Sequence, residues 1–133
     1  MSTQLNQEKL DVYIKKVMGT VSAGMSTAIS AVGDQLGLYQ HLQDLGPASS
    51  SEIAQASGLH ERWLREWLRH QACAGFIEYE SNTDRFFLSP EASVVLLDET
   101  HPANFSGGFD AIASTFQSLP KLAEAFNTGL GLS

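Results

Sequence analysis

The side chains with the clearest chemical potential are four histidines, one cysteine, a serine triplet and three arginines at helical spacing. His41, His60, His70 and His101 do not stand at metal-ligand spacing with one another, with Cys73 or with a carboxylate. His60 and His70 are ten residues apart, about 280° around a helix. They read as exposed or helix-capping imidazoles. His60-Glu61 invites acid–base chemistry, yet it opens a helical pattern, where Glu61 favours the positive end of the dipole. Cys73 lies between Ala72 and Ala74 near the carboxyl end of that helix, a place that does not lower a thiol pKa. It reads as a small filler near the core. A single cysteine excludes an internal disulfide and a four-thiolate zinc site. Ser49-Ser50-Ser51 supplies hydroxyls, but Ser49 and Glu52 have capping-box spacing, which accounts for them without a nucleophile.

Arg62, Arg65 and Arg69 have the chemistry to read guanine edges or grip phosphates. Their surroundings argue against it. Glu61 and Glu66 answer two of the three, and Arg62 and Glu66 are spaced as an i,i+4 pair. From 76 to 100 the acidic residues Glu78, Glu80, Asp84, Glu91, Asp98 and Glu99 face Arg85 alone. The whole chain of 133 residues carries a formal charge of −7. That balance opposes sequence-independent binding to a phosphate backbone.

The elements that must position these groups follow from periodicity. Leu10, Ile14, Val17, Val21, Met25, Ala28, Val32 and Leu36 recur at steps of three and four and form one helical stripe. Gly19, Gly24 and Gly33 interrupt it, so two helices are expected, at 6–18 and 22–33. A short helix from Leu36 to Leu45 stops at Gly46-Pro47. The capping box opens another that runs to Ser57, with Gly58 as its turn. The next spans His60 to Ala74 and stops at Gly75. On it Trp63, Leu64, Trp67 and Leu68 fall within about 140° of arc, a core face opposite the charged residues. The period then changes. Phe76–Glu80 and Arg85–Ser89 read as two strands joined by Ser81-Asn82-Thr83-Asp84 and ended by Pro90. Glu91–Leu97 reads as a short helix. Phe105, Phe109, Ile112, Phe116 and Leu119 form a last stripe, interrupted by Pro120 and resumed through Leu122 and Phe126. The tail from Thr128 to Ser133 shows no stop signal. Helices followed by a two-stranded wing give a mainly α fold, a winged helix-turn-helix with extra helices at both ends. The expected divisions are amino-terminal helices at 1–35, the winged helix-turn-helix core at 36–98 and a helical segment at 99–133. With 43% apolar content this chain can bury a real core.

Ser51-Glu-Ile-Ala54, Ser57-Gly-Leu59, Arg62-Trp-Leu-Arg-Glu-Trp-Leu68, Ala74-Gly-Phe76, Arg85-Phe-Phe-Leu-Ser-Pro90 and Pro102-Ala-Asn-Phe-Ser-Gly-Gly108 stand in one register. The series resembles the amino-terminal winged-helix domain of a bacterial family of class I S-adenosylmethionine-dependent methyltransferases. The resemblance implies a domain without catalytic or cofactor residues of its own, which precedes a Rossmann-like catalytic domain. Its first helices would pack against a second subunit, and its later helices would roof the small-molecule substrate pocket. The glycine-rich cofactor loop of that catalytic domain has no counterpart here, since Gly129-Leu130-Gly131 follows a helix and leads to no second strand. S-adenosylmethionine is therefore expected only in a further or partner catalytic domain, as if the chain stopped where that domain should begin.

Three expectations follow for surfaces. Leu10, Ile14, Val17, Val21 and Met25 are the expected dimer interface, as an amphipathic pair of helices outside the main core needs a cover. Phe105, Phe109 and Phe116 are the expected cover of a substrate pocket, although stripes of this kind also serve as core. Arg62, Arg65 and Arg69 contact DNA only under the alternative, a stand-alone winged-helix transcriptional regulator. A small ligand-binding or regulatory subunit is a third reading. The start lacks the apolar run of a secretory signal and no apolar window is long enough to span a bilayer, so a cytoplasmic protein is expected. Lys9, Lys15 and Lys16, without aromatic anchors, make a membrane surface an unsuitable partner.

Overall fold

The computed structural model describes residues 5–131. The expected block from residue 1 and the tail to Ser133 thus include positions, 1–4 and 132–133, that lie outside the described residues.

The first helix, α1, is a single rod from Gln7 to Leu36, 30 residues and about 45 Å long. The expected break between 18 and 22 does not occur. A glycine weakens a helix interior by about 1 kcal/mol, whereas a break would expose several backbone groups to be satisfied elsewhere. Thr20 and Thr27 also turn their hydroxyls back onto the carbonyls of Lys16 and Ala23, 2.9 Å each, and so stay compatible with the helix. Asn6 caps the start by accepting from the Lys9 N–H at 2.9 Å. Gly37 ends the rod in the left-handed region, φ 65°, which shifts the start of α2 from the expected Leu36 to Leu38 (Leu38–Leu45).

Helix α3 (Ser50–Ser57) begins with the expected capping box. Ser49 Oγ accepts from the Glu52 N–H at 3.3 Å, and the Ser49 N–H donates to Glu52 Oε2 at 2.7 Å. Helix α4 covers Glu61–Cys73. The wing is an antiparallel pair, β1 (Glu78–Glu80) and β2 (Arg85–Phe87), with Tyr79 opposite Phe86. Both strands are shorter than expected because Phe76, Ile77 and Leu88 turn into the core rather than along the ladder. Ala48 adds a further rung, exchanging backbone bonds of 3.0 and 2.8 Å with Phe86. Helix α5 (Pro90–Leu97) starts at Pro90, which opens the helix rather than closing the strand. Helices α6 (Gly108–Phe116) and α7 (Leu119–Thr128) carry the last stripe. Phe105 precedes α6 in a loop, Pro120 sits in the first turn of α7, and Gly129 caps α7 at φ 70°. Gly129 thus supplies the stop that the expected tail lacks.

The core gathers Leu38, Leu42, Ile53, Leu68, Ile77 and Phe86. Leu64, Trp67 and Leu68 bury as expected, but Trp63 is 71% exposed. The Trp67 ring occupies the place over Gly33 where α4 meets α1, in contact also with Tyr39, and Trp63 projects beyond that contact. Cys73 is exposed rather than a core filler: Gln71 takes the buried position in the last turn of α4. Gln71 is satisfied there by the Tyr39 hydroxyl, which donates to its Oε1 at 2.7 Å, and by Ser30, whose Oγ accepts at 3.1 Å. Burial pushes the Tyr39 hydroxyl up to about 12.

Candidate functional site

The expected interface residues lie along the unpacked half of α1. Leu10 is half-buried, while Ile14, Val17, Val21 and Met25 are exposed. Every residue from 11 to 23 is exposed. Only the carboxyl half of α1 is packed, against α2, α4 and above all α6. There Asp34 accepts from the Asp110 N–H at 3.3 Å, and Gln35 donates to the Asp110 carboxylate at 2.5 Å. Burial raises the Asp34 carboxyl, a shift that the Asp110 N–H partly offsets. Even in this packed half Val32 and Leu36 stay 41% and 45% exposed. The apolar stripe therefore continues the whole length of the rod.

At its carboxyl end the stripe meets Trp63. A hollow of about 270 Å³ lies between Val32, Leu36, Leu59 and Trp63. On the other side of the same indole a second, about 310 Å³, is bounded by Ile29, Val32, Glu66 and His70. The sequence pattern puts Trp63 in the core and so conceals this groove. The signal that points to it is the indole's position at the edge of the apolar arc, next to Arg62.

The three arginines are already engaged. Arg62 stacks on Trp63 at 5.7 Å from the ring centroid, in place of the expected pair with Glu66. Arg65 pairs with Glu61 at 3.6 Å and Arg69 with Glu66 at 3.8 Å. On the wing, Arg85 is held by Glu52 through two bonds, 2.8 and 3.0 Å, and donates to the Pro47 carbonyl at 2.7 Å. The Ser49 N–H, then Arg85, hold the Glu52 carboxyl below its ordinary value. The wing's arginine is thus turned inward, and the wing presents carboxylates.

The expected pocket-cover residues divide. Phe109 packs against the core and meets Phe76 and Phe105 edge-on, centroids 5.4 and 5.6 Å apart. Phe105 and Phe116 are 42% and 44% exposed. Along α7, Leu119, Leu122 and Phe126 are exposed as well. Among the described residues no group of three or more His, Cys, Asp or Glu side chains is placed to hold a metal. His101 Nδ1 accepts from the Ala103 N–H at 3.1 Å, a local turn bond. No described helix is long and apolar enough to cross a membrane.

The family described as the Rv2258c-like winged HTH domain matches residues 23–97. The chain belongs to that family. The Rv2258c-like domain here is also similar to the mitomycin biosynthesis 6-O-methyltransferase of Streptomyces lavendulae, 30% identical over 98 residues. That alignment takes in 74% of this chain and 28% of the relative. Among solved structures it resembles the mitomycin 7-O-methyltransferase MmcR, with a TM-score of 0.74 at 24% identity over 93% of this chain and 36% of that one. It also resembles CalO1, a methyltransferase in calicheamicin biosynthesis, at a TM-score of 0.65 and 21% identity, over 96% and 37% of the two chains. The chain thus spans about a third of the length of these proteins, in which the matching fold is part of a larger chain.

Proposed function

We propose that this chain is a non-catalytic winged-helix domain of a small-molecule S-adenosylmethionine-dependent methyltransferase, working in dimerisation and substrate cover. The observation that carries the reading is the alignment with an O-methyltransferase over 74% of this chain and only 28% of that protein. A domain with such relatives is expected to serve a catalytic domain, on the same or a partner chain. The exposed stripe at Ile14, Val17, Val21 and Met25 supports dimerisation. The exposed rings of Phe105 and Phe116 beside core-anchored Phe109 support the cover role, since a roof needs apolar groups fixed at one end and free at the other. The inward-turned Arg85 and the acidic wing favour this reading over the DNA-binding regulator.

Light scattering on the chain at tens of micromolar tests the dimer, and a clean monomer counts against it. Calorimetry with S-adenosylmethionine tests the expectation that this domain does not hold the cofactor itself. No binding heat is expected, and a micromolar dissociation constant overturns that part of the reading.

A further inference from the structure

The α1 stripe is spaced as a palindrome. From Leu10 through Ile14, Val17, Val21, Met25 and Ala28 to Val32 the steps are 4, 3, 4, 4, 3 and 4. Reversing the helix about Val21 therefore superposes the stripe on itself: Leu10 falls on Val32, Ile14 on Ala28, Val17 on Met25. An interface with two-fold symmetry requires such self-complementarity, because residue i meets j while j meets i. The mean step is close to the 3.6 of a straight helix, so the stripe runs along the rod without winding away.

We propose that the occupant of the Trp63 groove is the amino end of α1 from a second copy, paired antiparallel about a two-fold axis at Val21. The proposal rests on the dimer reading above and adds its register. Pairing about Val21 carries the partner's Leu10 to Val32, on the wall shared by both hollows beside Trp63. Leu10 at one end and the groove at the other would each cover the exposed apolar surface of the opposite copy. Charge is complementary in the same arrangement. At 100° per residue Asp11 and Lys15 share the flank of α1 that carries Ile29, the flank against which α4 packs. A two-fold axis perpendicular to the helices keeps that flank on the same side in both copies. The partner's Lys15 then faces Glu66 beside Ile29, and its Asp11 comes within reach of Arg62. Ile14 falls against the small Ala28, and Val17, which meets Met25, has open space beside it at Gly24, where nothing lies within 4 Å.

The test is cysteine cross-linking in a Cys73→Ser background, because Cys73 is exposed. A residue on the axis meets itself, so Val21→Cys is expected to give a disulfide dimer under mild oxidation. Met25→Cys alone should not, but mixed with Val17→Cys it should give a heterodimer. Scattering on the same samples separates the two claims. A dimer in which Val21→Cys fails while another single α1 position links to itself overturns the register and spares the dimer. A monomer overturns both. Trp63→Ala removes a side chain that is mostly solvated in one copy, so the fold should persist. The dimer dissociation constant should rise about ten-fold, the effect of truncating an aromatic anchor. An unchanged dissociation constant removes the groove from the interface.

Discussion

At the residue scale the molecule is tied by a few polar side chains whose partners lie far along the sequence. Glu52 is the clearest case: it closes the α3 capping box and clamps Arg85 of the wing. Its carboxyl sits below the ordinary value of 4.5, first through the Ser49 N–H and then through Arg85. A depressed carboxylate pKa adds stability that is present above 4.5 and fades as the pH falls through the folded value. Glu52→Gln is therefore expected to lower the urea midpoint at pH 7, with a gap to the parent that narrows below pH 4.5. A gap independent of pH would deny the charge its part. The capping half of this residue is legible in its spacing to Ser49. The other half is not, since nothing local links Glu52 to Arg85. Gly33 teaches the same lesson in reverse. It reads as a cost to a helix, but a Cβ there would enter the Trp67 ring, so a long-range contact sets the residue type.

At the element scale, type and order are legible in the sequence while boundaries move. Gly46, Gly58 and Gly75 follow the ends of their helices as expected, each at positive φ, because a turn through positive φ is a local demand that the residue type announces. Gly19 and Gly24 look like breaks and are not. Both lie in a helix interior, with nothing within 4 Å of where a side-chain methyl would stand. Propensity weakens a helix at such points without ending it, and the cap-forming residues nearby are used otherwise: Thr20 and Thr27 bond back to carbonyls of the same helix instead of capping a new one. Gly19→Ala is accordingly expected to stabilise α1 by about 1 kcal/mol, read as a higher thermal midpoint. A lower midpoint would mean that Gly19 makes room for a neighbour. The strands fall short of their expected lengths for a related reason: alternation alone does not say where Phe76, Ile77 and Leu88 leave the ladder for the core.

At the scale of the whole molecule, the winged-helix body is fully cored while its two extensions are not. Core residues from α2, α3, α4, the wing and α5 form one cluster. Beyond it, the amino half of α1 and the face of α7 bearing Leu122 and Phe126 present apolar side chains to solvent. Their amphipathic spacing is visible in the sequence. Which faces stay uncovered is not, because that depends on how far α6 reaches along α1, and here it packs only on the carboxyl half. The acidic character read from composition gains a location as well, since the wing's Arg85 is withdrawn into an intramolecular clamp.

The solvated stretch of α1 from 11 to 23 has a kinetic consequence. A helical segment of that length is marginal in water without tertiary support, so in a lone copy it should fray from its amino end. Its amide hydrogens are then expected to exchange with deuterium far faster than those of α4, and to slow as protein concentration rises. Exchange rates that ignore concentration would mean that the rod sustains itself. Ordering of this segment and meeting a partner would otherwise be a single event, and the surface would exist in finished form only when it is already in use.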